Sequence, residues 1–173
     1  KAMKGELPLL QAAQSLQSEL LMMMPEEIGD EPLAQEKYLV KNAKKIAILA
    51  AGAAAQRFMT KLDQEQEVLV NIANIANQLY AMESVVIRTQ KAIERDGVEK
   101  ASQKILYTQI FCQEAFAIIE AEAKDTLLAS VEGDAGRMTL SALRKLTRNN
   151  PYNLIPKKRE AAAKLIEAEK YVV

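Results

Sequence analysis

The chain has 173 residues, and its 23 Lys and Arg are balanced by 23 Asp and Glu, so the formal net charge is zero. A chain of this length suits one domain and buries roughly 70% of its unfolded surface, so its core needs no disulfide or metal. Charge balance leaves no global field to draw in nucleic acid or a membrane, which excludes a dedicated DNA or RNA binder; the absence of histidine removes the commonest general base, the Glu-x-x-His ligands of helical di-iron proteins and any phosphorelay histidine.

Six glycines and five prolines fall in clusters and not at hairpin spacing, which predicts long helices. The opening Lys1-Ala2-Met3 points to a start cut from something longer. The first helix is expected from Leu7 to Met24, with Leu9, Ala13, Leu16, Leu20 and Met24 on one face, and Pro25 ending it. Its final run Leu20-Leu21-Met22-Met23-Met24 is adaptable apolar surface, suited to docking on protein or dipping into a membrane interface. The acidic, proline-bracketed stretch from Pro25 to Pro32 reads as a linker. Residues 1–32 thus form an amphipathic arm with its linker, and residues 33–173 a bundle domain.

The second helix is expected from Leu33 to Leu62, with Tyr38, Ala43, Ile46, Ala50, Ala53 and Phe58 near one side. Its middle, Ala47 to Ala55, is apolar nearly all round, which predicts burial on more than one side. Asp63 is read as the N-cap of the third helix, with Gln66 completing a capping box. That helix runs to Asp96-Gly97 and carries Ile72, Ile75, Leu79, Met82 and Val86 in steps of three and four, the seam of left-handed bundle packing. The fourth, Val98 to Val131, repeats the spacing with Ala101, Ile105, Thr108, Cys112, Ala115 and Ile119, and a second row of Tyr107, Ile110, Phe111 and Ile118 is expected to widen its buried face. After Glu132-Gly133-Asp134 a shorter helix spans Ala135 to Thr147. Asn149 to Asn153 is turn chemistry, and Pro156 stands in the first turn of a terminal helix reaching Tyr171. The fold class is therefore all-α: an antiparallel bundle of three long helices plus an N-terminal amphipathic arm and two short C-terminal helices.

Little in this pattern carries chemistry. Cys112, the single cysteine, lies in an apolar helical stretch and reads as a small buried side chain in a reducing compartment. No run of eighteen apolar residues and no signal-peptide succession appears, so an intracellular, cytoplasmic setting is expected. Glu114, Glu120, Glu122 and Asp125 could bind a metal or share a proton, but with Lys124 among them they read as a solvated face. Glu83 reads as a rim residue. No phosphate loop, dinucleotide fingerprint, nucleophile elbow or Cys-x-x-Cys pair is present. The candidate contact for an anionic surface is basic: Arg137, Arg144, Lys145, Arg148, Lys157, Lys158 and Arg159, with no Asp or Glu from Met138 to Arg159. Grouped on one face they could meet lipid headgroups, an acidic partner or a phosphate-bearing ligand.

Leu79-Tyr80-Ala81-Met82 followed by Arg88, then Cys112-Gln113-Glu114-Ala115, then a short basic helix and Asn150-Pro151 together resemble the extra C-terminal helical domain of the very-long-chain acyl-CoA dehydrogenases and their bacterial long-chain relatives. The resemblance covers about Leu33 to Leu154. It implies a parent chain whose catalytic body binds FAD and dehydrogenates an acyl-CoA in fatty acid β-oxidation, using a glutamate base. It implies that the extra domain is a duplicated helical bundle without active-site residues, so neither a catalytic residue nor a cofactor or metal ligand carries over to this segment. It also implies a homodimer, and membrane attachment through the region corresponding to Leu7 to Met24. A free-standing helical interaction module is the alternative reading, and a carboxylate-based metal enzyme a third.

Overall fold

The computed structural model describes residues 8–22 and 26–170. Met23, Met24, Pro25 and Tyr171, where the expected ends of the first and last helices fall, lie outside the described residues, as do Lys1 to Leu7. Within the described residues the fold is all-α, with six helices: α1 (Leu9–Met22), α2 (Ala34–Phe58), α3 (Gln66–Asp96), α4 (Ser102–Ser130), α5 (Gly133–Leu146) and α6 (Leu154–Ala168).

Helix α2 is the axis of the molecule. It packs against α1, α3, α4 and α5, and small residues make this possible: Ala43, Ala50, Gly52, Ala54 and Ala55 are all buried beside Leu39, Ile46 and Leu49. The expectation that its apolar middle is enclosed on several sides is met. Ala13, Leu16 and Leu20 of α1 are buried in the same packing. The closest approach is at Gly52, where a Cβ would collide with the Cβ of Ala13. Gly52→Ala should therefore push α1 outward, costing about 1–3 kcal/mol of overpacking. A lower melting temperature with faster proteolytic cutting near α1 is expected, and an unchanged pair of values would mean that α1 is held elsewhere.

Short connections turn α3 back along α2 and α4 back along α3, so α2 and α4 run parallel with α3 antiparallel to both. Gly97, at φ +84, makes the sharp turn after α3, a backbone conformation that suits glycine. Ile75, Met82 and Val86 of the expected α3 seam are buried, with Ile72 and Leu79 half-buried at its edges.

Four details differ from the sequence reading. The second helix ends at Phe58, because Met59 turns to φ +49 and residues Met59–Gln64 wind into a 3-10 turn. Asp63 does not cap α3: the position before the helix is Glu65, and the Gln66 side chain instead donates to the Asp63 carbonyl at 2.8 Å. The fourth helix begins at Ser102, since residues 98–101 form a separate turn closed by the Ala101 N–H on the Gly97 carbonyl. The second apolar row on α4 is met in part: Tyr107, Ile110 and Phe111 are half-buried and Phe111 packs against the core, but Ile118 is 42% exposed, and Leu106, Phe116, Ala123 and Leu127 are buried as well. Helix α4 contacts both α2 and α3, so its buried arc is shared between them and leaves Ile118 outside.

Candidate functional site

The seven candidate basic residues do not form one free patch. Arg137 pairs with Asp134 one turn earlier on α5. Lys145 donates to the Leu20 carbonyl at 3.2 Å, satisfying an orphan acceptor in the last turn of α1. Arg148 contributes its backbone carbonyl, which accepts from the Tyr38 hydroxyl at 3.1 Å. Lys157 donates to Gln109 Oε1 at 2.6 Å and stands 4.6 Å from the centre of the Tyr152 ring, a cation–π distance. Lys158 pairs with Glu114 of α4. Arg144 and Arg159 are exposed and make no ion pair among the described residues. The cations thus tie α1 to α5 and α4 to α6, leaving the guanidinium groups of Arg144, Arg148 and Arg159 without an ion pair among the described residues.

The carboxylates are equally dispersed. Glu83 pairs with Lys44 and Glu114 with Lys158, while Glu122 accepts from Asn74 at 3.0 Å. Glu120 and Asp125 are exposed. Among the described residues no group of three His, Cys, Asp or Glu side chains could hold a metal ion.

The polar centre of the bundle lies where sequence reasoning did not place it. Glu36, in the first turn of α2, is only 1% exposed, and neither carboxyl oxygen has a hydrogen-bond partner among the described residues. It lies against an open pocket of about 430 Å³ lined by the linker before α2, Ile105 and Gln109 of α4, and Asn150 and Tyr152 of the α5–α6 connection. The chain enters α2 through Leu33, a buried leucine at φ +68. Left-handed backbone costs an ordinary residue roughly 1–2 kcal/mol, and the burial of Leu33 offsets it. Gln35 Nε2 donates to the Asn150 carbonyl, so two neighbouring residues of α2 anchor the far end of the chain.

Burial raises the Glu36 carboxyl above the ordinary carboxylate range; its own backbone N–H and the Tyr152 hydroxyl, near it but outside hydrogen-bond geometry, and the charge of Lys157 offset part of that rise. Burial, reinforced by the charge of Glu36, pushes the Cys112 thiol up to about 12. The Tyr152 phenol is raised for the same two reasons. All three groups favour their neutral, protonated forms, so Cys112 is not a thiolate nucleophile at neutral pH. The charge of Glu36 raises both Cys112 and Tyr152, and nothing here is activated toward substrate. The arrangement holds α2, α4 and α6 together. Its only sequence signal is a glutamate in the first turn of a helix, which ordinarily reads as a favourable partner for the helix dipole.

Comparison with known proteins gives three concordant results. The family described as "Acyl-CoA dehydrogenase, C-terminal domain" matches residues 42–145. A Bacillus subtilis (strain 168) protein described as a probable acyl-CoA dehydrogenase is 64% identical over 173 residues, which are all of this chain and 29% of that protein. A crystal structure of an acyl-CoA dehydrogenase from Bacillus anthracis, complexed with FAD, is 65% identical and superposes with a TM-score of 0.93, again over all of this chain and 29% of that one. The chain therefore spans less than a third of the length of either relative.

Proposed function

The chain belongs to the acyl-CoA dehydrogenase C-terminal domain family, and from that premise we propose that it is the accessory helical domain of an FAD-dependent long-chain acyl-CoA dehydrogenase of β-oxidation, a cytoplasmic homodimer in which this domain serves assembly. The observation that carries the reading is the likeness along the whole chain to a segment amounting to 29% of an FAD-bound dehydrogenase. The internal chemistry is in keeping with it. The Glu36, Cys112 and Tyr152 acids are all shifted toward their protonated forms, and no nucleophile is paired with a base.

FAD fits the remainder of the parent chain and not this segment. The cavity beside Glu36 is also lined by Asp30 and Glu31, and their carboxylates repel the pyrophosphate of a dinucleotide. When bound in the body, the flavin accepts the hydrogens removed from the acyl chain. This domain's residues act only in packing and orientation.

An ultraviolet-visible spectrum of the protein purified from the complete reading frame tests the proposal. Bound flavin that bleaches with long-chain acyl-CoA, and less readily with short-chain acyl-CoA, is the expected result. A colourless protein whose reading frame holds only this bundle would instead make it a free-standing interaction module.

Peripheral membrane contact is part of the same proposal, and no described helix is long and apolar enough to cross a membrane. The exposed, unpaired cations Arg144, Arg148 and Arg159 are the groups able to contribute, and Arg144 and Arg159 are the two whose backbones tie down no other helix. Replacing either with Gln should weaken binding to vesicles of anionic lipid by about fivefold per charge, and added salt should do the same. Vesicle binding indifferent to both changes removes membrane contact from the proposal and leaves assembly.

A further inference from the structure

Helix α3 buries one face against α2 and α4 and turns the other to solvent. On that outer face Val70, Ala73, Asn77, Tyr80, Ser84 and Ile87 are all exposed and follow one another in steps of three and four. The row is about 26 Å long at 1.5 Å per residue and contains no charged residue. An outer helix face ordinarily carries the charges, as the outer face of α4 does with Glu114, Glu120, Lys124 and Asp125. Large side chains are left bare in the row: Tyr80 is 76% exposed, Val70 55% and Ile87 46%. Small side chains at Ala73 and Ser84 leave room for a second helix to approach, and a tyrosine amid small and apolar neighbours is a common centre of a protein interface. The spacing is that of a packing seam facing outward.

We propose that this face of α3 is where the domain docks onto the catalytic remainder of its own chain. The inference rests on the dehydrogenase reading above and adds the surface through which the two parts meet. The full length of this chain corresponds to 29% of each relative, so the larger part of a parent of that kind lies outside these residues. A covalently attached body stands at an effective concentration that reaches the millimolar range. It therefore reaches the seam ahead of a second copy, and the uncharged row lets it close without stranding a buried ion.

Thiol labelling in the complete parent chain tests this. Asn77→Cys and Ser84→Cys place reporters on the seam, Glu120→Cys places one on the charged outer face of α4, and mass mapping separates them from native cysteines. The seam positions should react at least about tenfold more slowly than position 120, as expected for groups released only by local opening, and the protection should persist on dilution to monomer. Equal reactivity overturns the inference. Protection lost on dilution overturns it too, by giving the seam to a second copy. The flavin spectrum of the same samples keeps the two readings apart: a flavin-bearing chain with a reactive seam sinks only the docking surface, whereas a reading frame without a catalytic body sinks both.

Discussion

Ile119→Asp and Ile75→Asp should each abolish the cooperative fold or lower its melting temperature by well over 15 °C, while Ile118→Asp should shift it by no more than a few degrees. Ile119 is 0% exposed, Ile75 is 1%, and both belong to the central hydrophobic cluster. Either substitution removes about 1.5–3 kcal/mol of apolar burial and leaves a carboxylate that must stay protonated or go unpaired, costing several kcal/mol more. A domain with roughly 5–15 kcal/mol in total has little left after that loss, and each kcal/mol is worth about 2–4 °C at this size. Ile118 is the internal control, because it is adjacent in sequence and on the outer face of the same helix. Circular dichroism melts of the three variants decide the matter. Similar behaviour at 118 and 119 would mean that the rotational phase of α4 is wrong.

That comparison also marks how far the sequence could be read. The steps of three and four on α3 and α4 place Ile75, Met82, Val86, Cys112, Ala115 and Ile119 correctly in the core, because each step is a property of one helix and of its nearest neighbour. The Gly97 turn and the position of Pro156 in the first turn of α6 were legible for the same local reason. The arc of α4 was not. Its width depends on α2 lying on one side and α3 on the other, and nothing within residues 98–131 encodes that. The Asp63 cap failed differently, since the same residue pair is also satisfied by a 3-10 turn in which the Gln66 amide donates to the Asp63 carbonyl, where a capping box would have it accept from the Asp63 N–H.

The basic candidates were legible as charges and misleading as a patch. Lys145, Lys157 and Lys158 each find an acceptor at a distant place in the chain, in Leu20, Gln109 and Glu114. A run of cations in sequence carries no information about the acceptors that the tertiary fold brings to it. Glu36 is the converse case. The side chains that act on it, Tyr152 and Lys157, lie far along the chain, so no window of sequence around Glu36 shows a buried acid.

The buried acid yields the second large effect. Because burial raises the carboxyl of Glu36 in the folded state above its value of 4.5 in the open chain, the folded protein binds this proton more tightly than the unfolded chain. The stabilisation is complete below pH 4.5, is lost as pH rises from 4.5 toward the raised folded value, and levels off beyond it, where both states are ionised. Glu36→Gln keeps the size and shape of the side chain and removes the titration. Carboxylates elsewhere titrate in both proteins, so the quantity to measure is the difference in melting temperature between variant and parent. An ionised, unpaired carboxylate costs more to bury than an amide, by about 1–3 kcal/mol or more, so at pH 8 the Gln variant should gain roughly 3–10 °C relative to its standing at pH 4. A difference that is the same at both pH values would mean that Glu36 is hydrated or paired in solution, and that the node joining α2, α4 and α6 is open to water. The predicted slope would also explain why α6 is anchored by lysines: Lys157 lies on the side of Glu36, where a cation limits the cost of the charged form without the close contact that would fix the carboxyl in it.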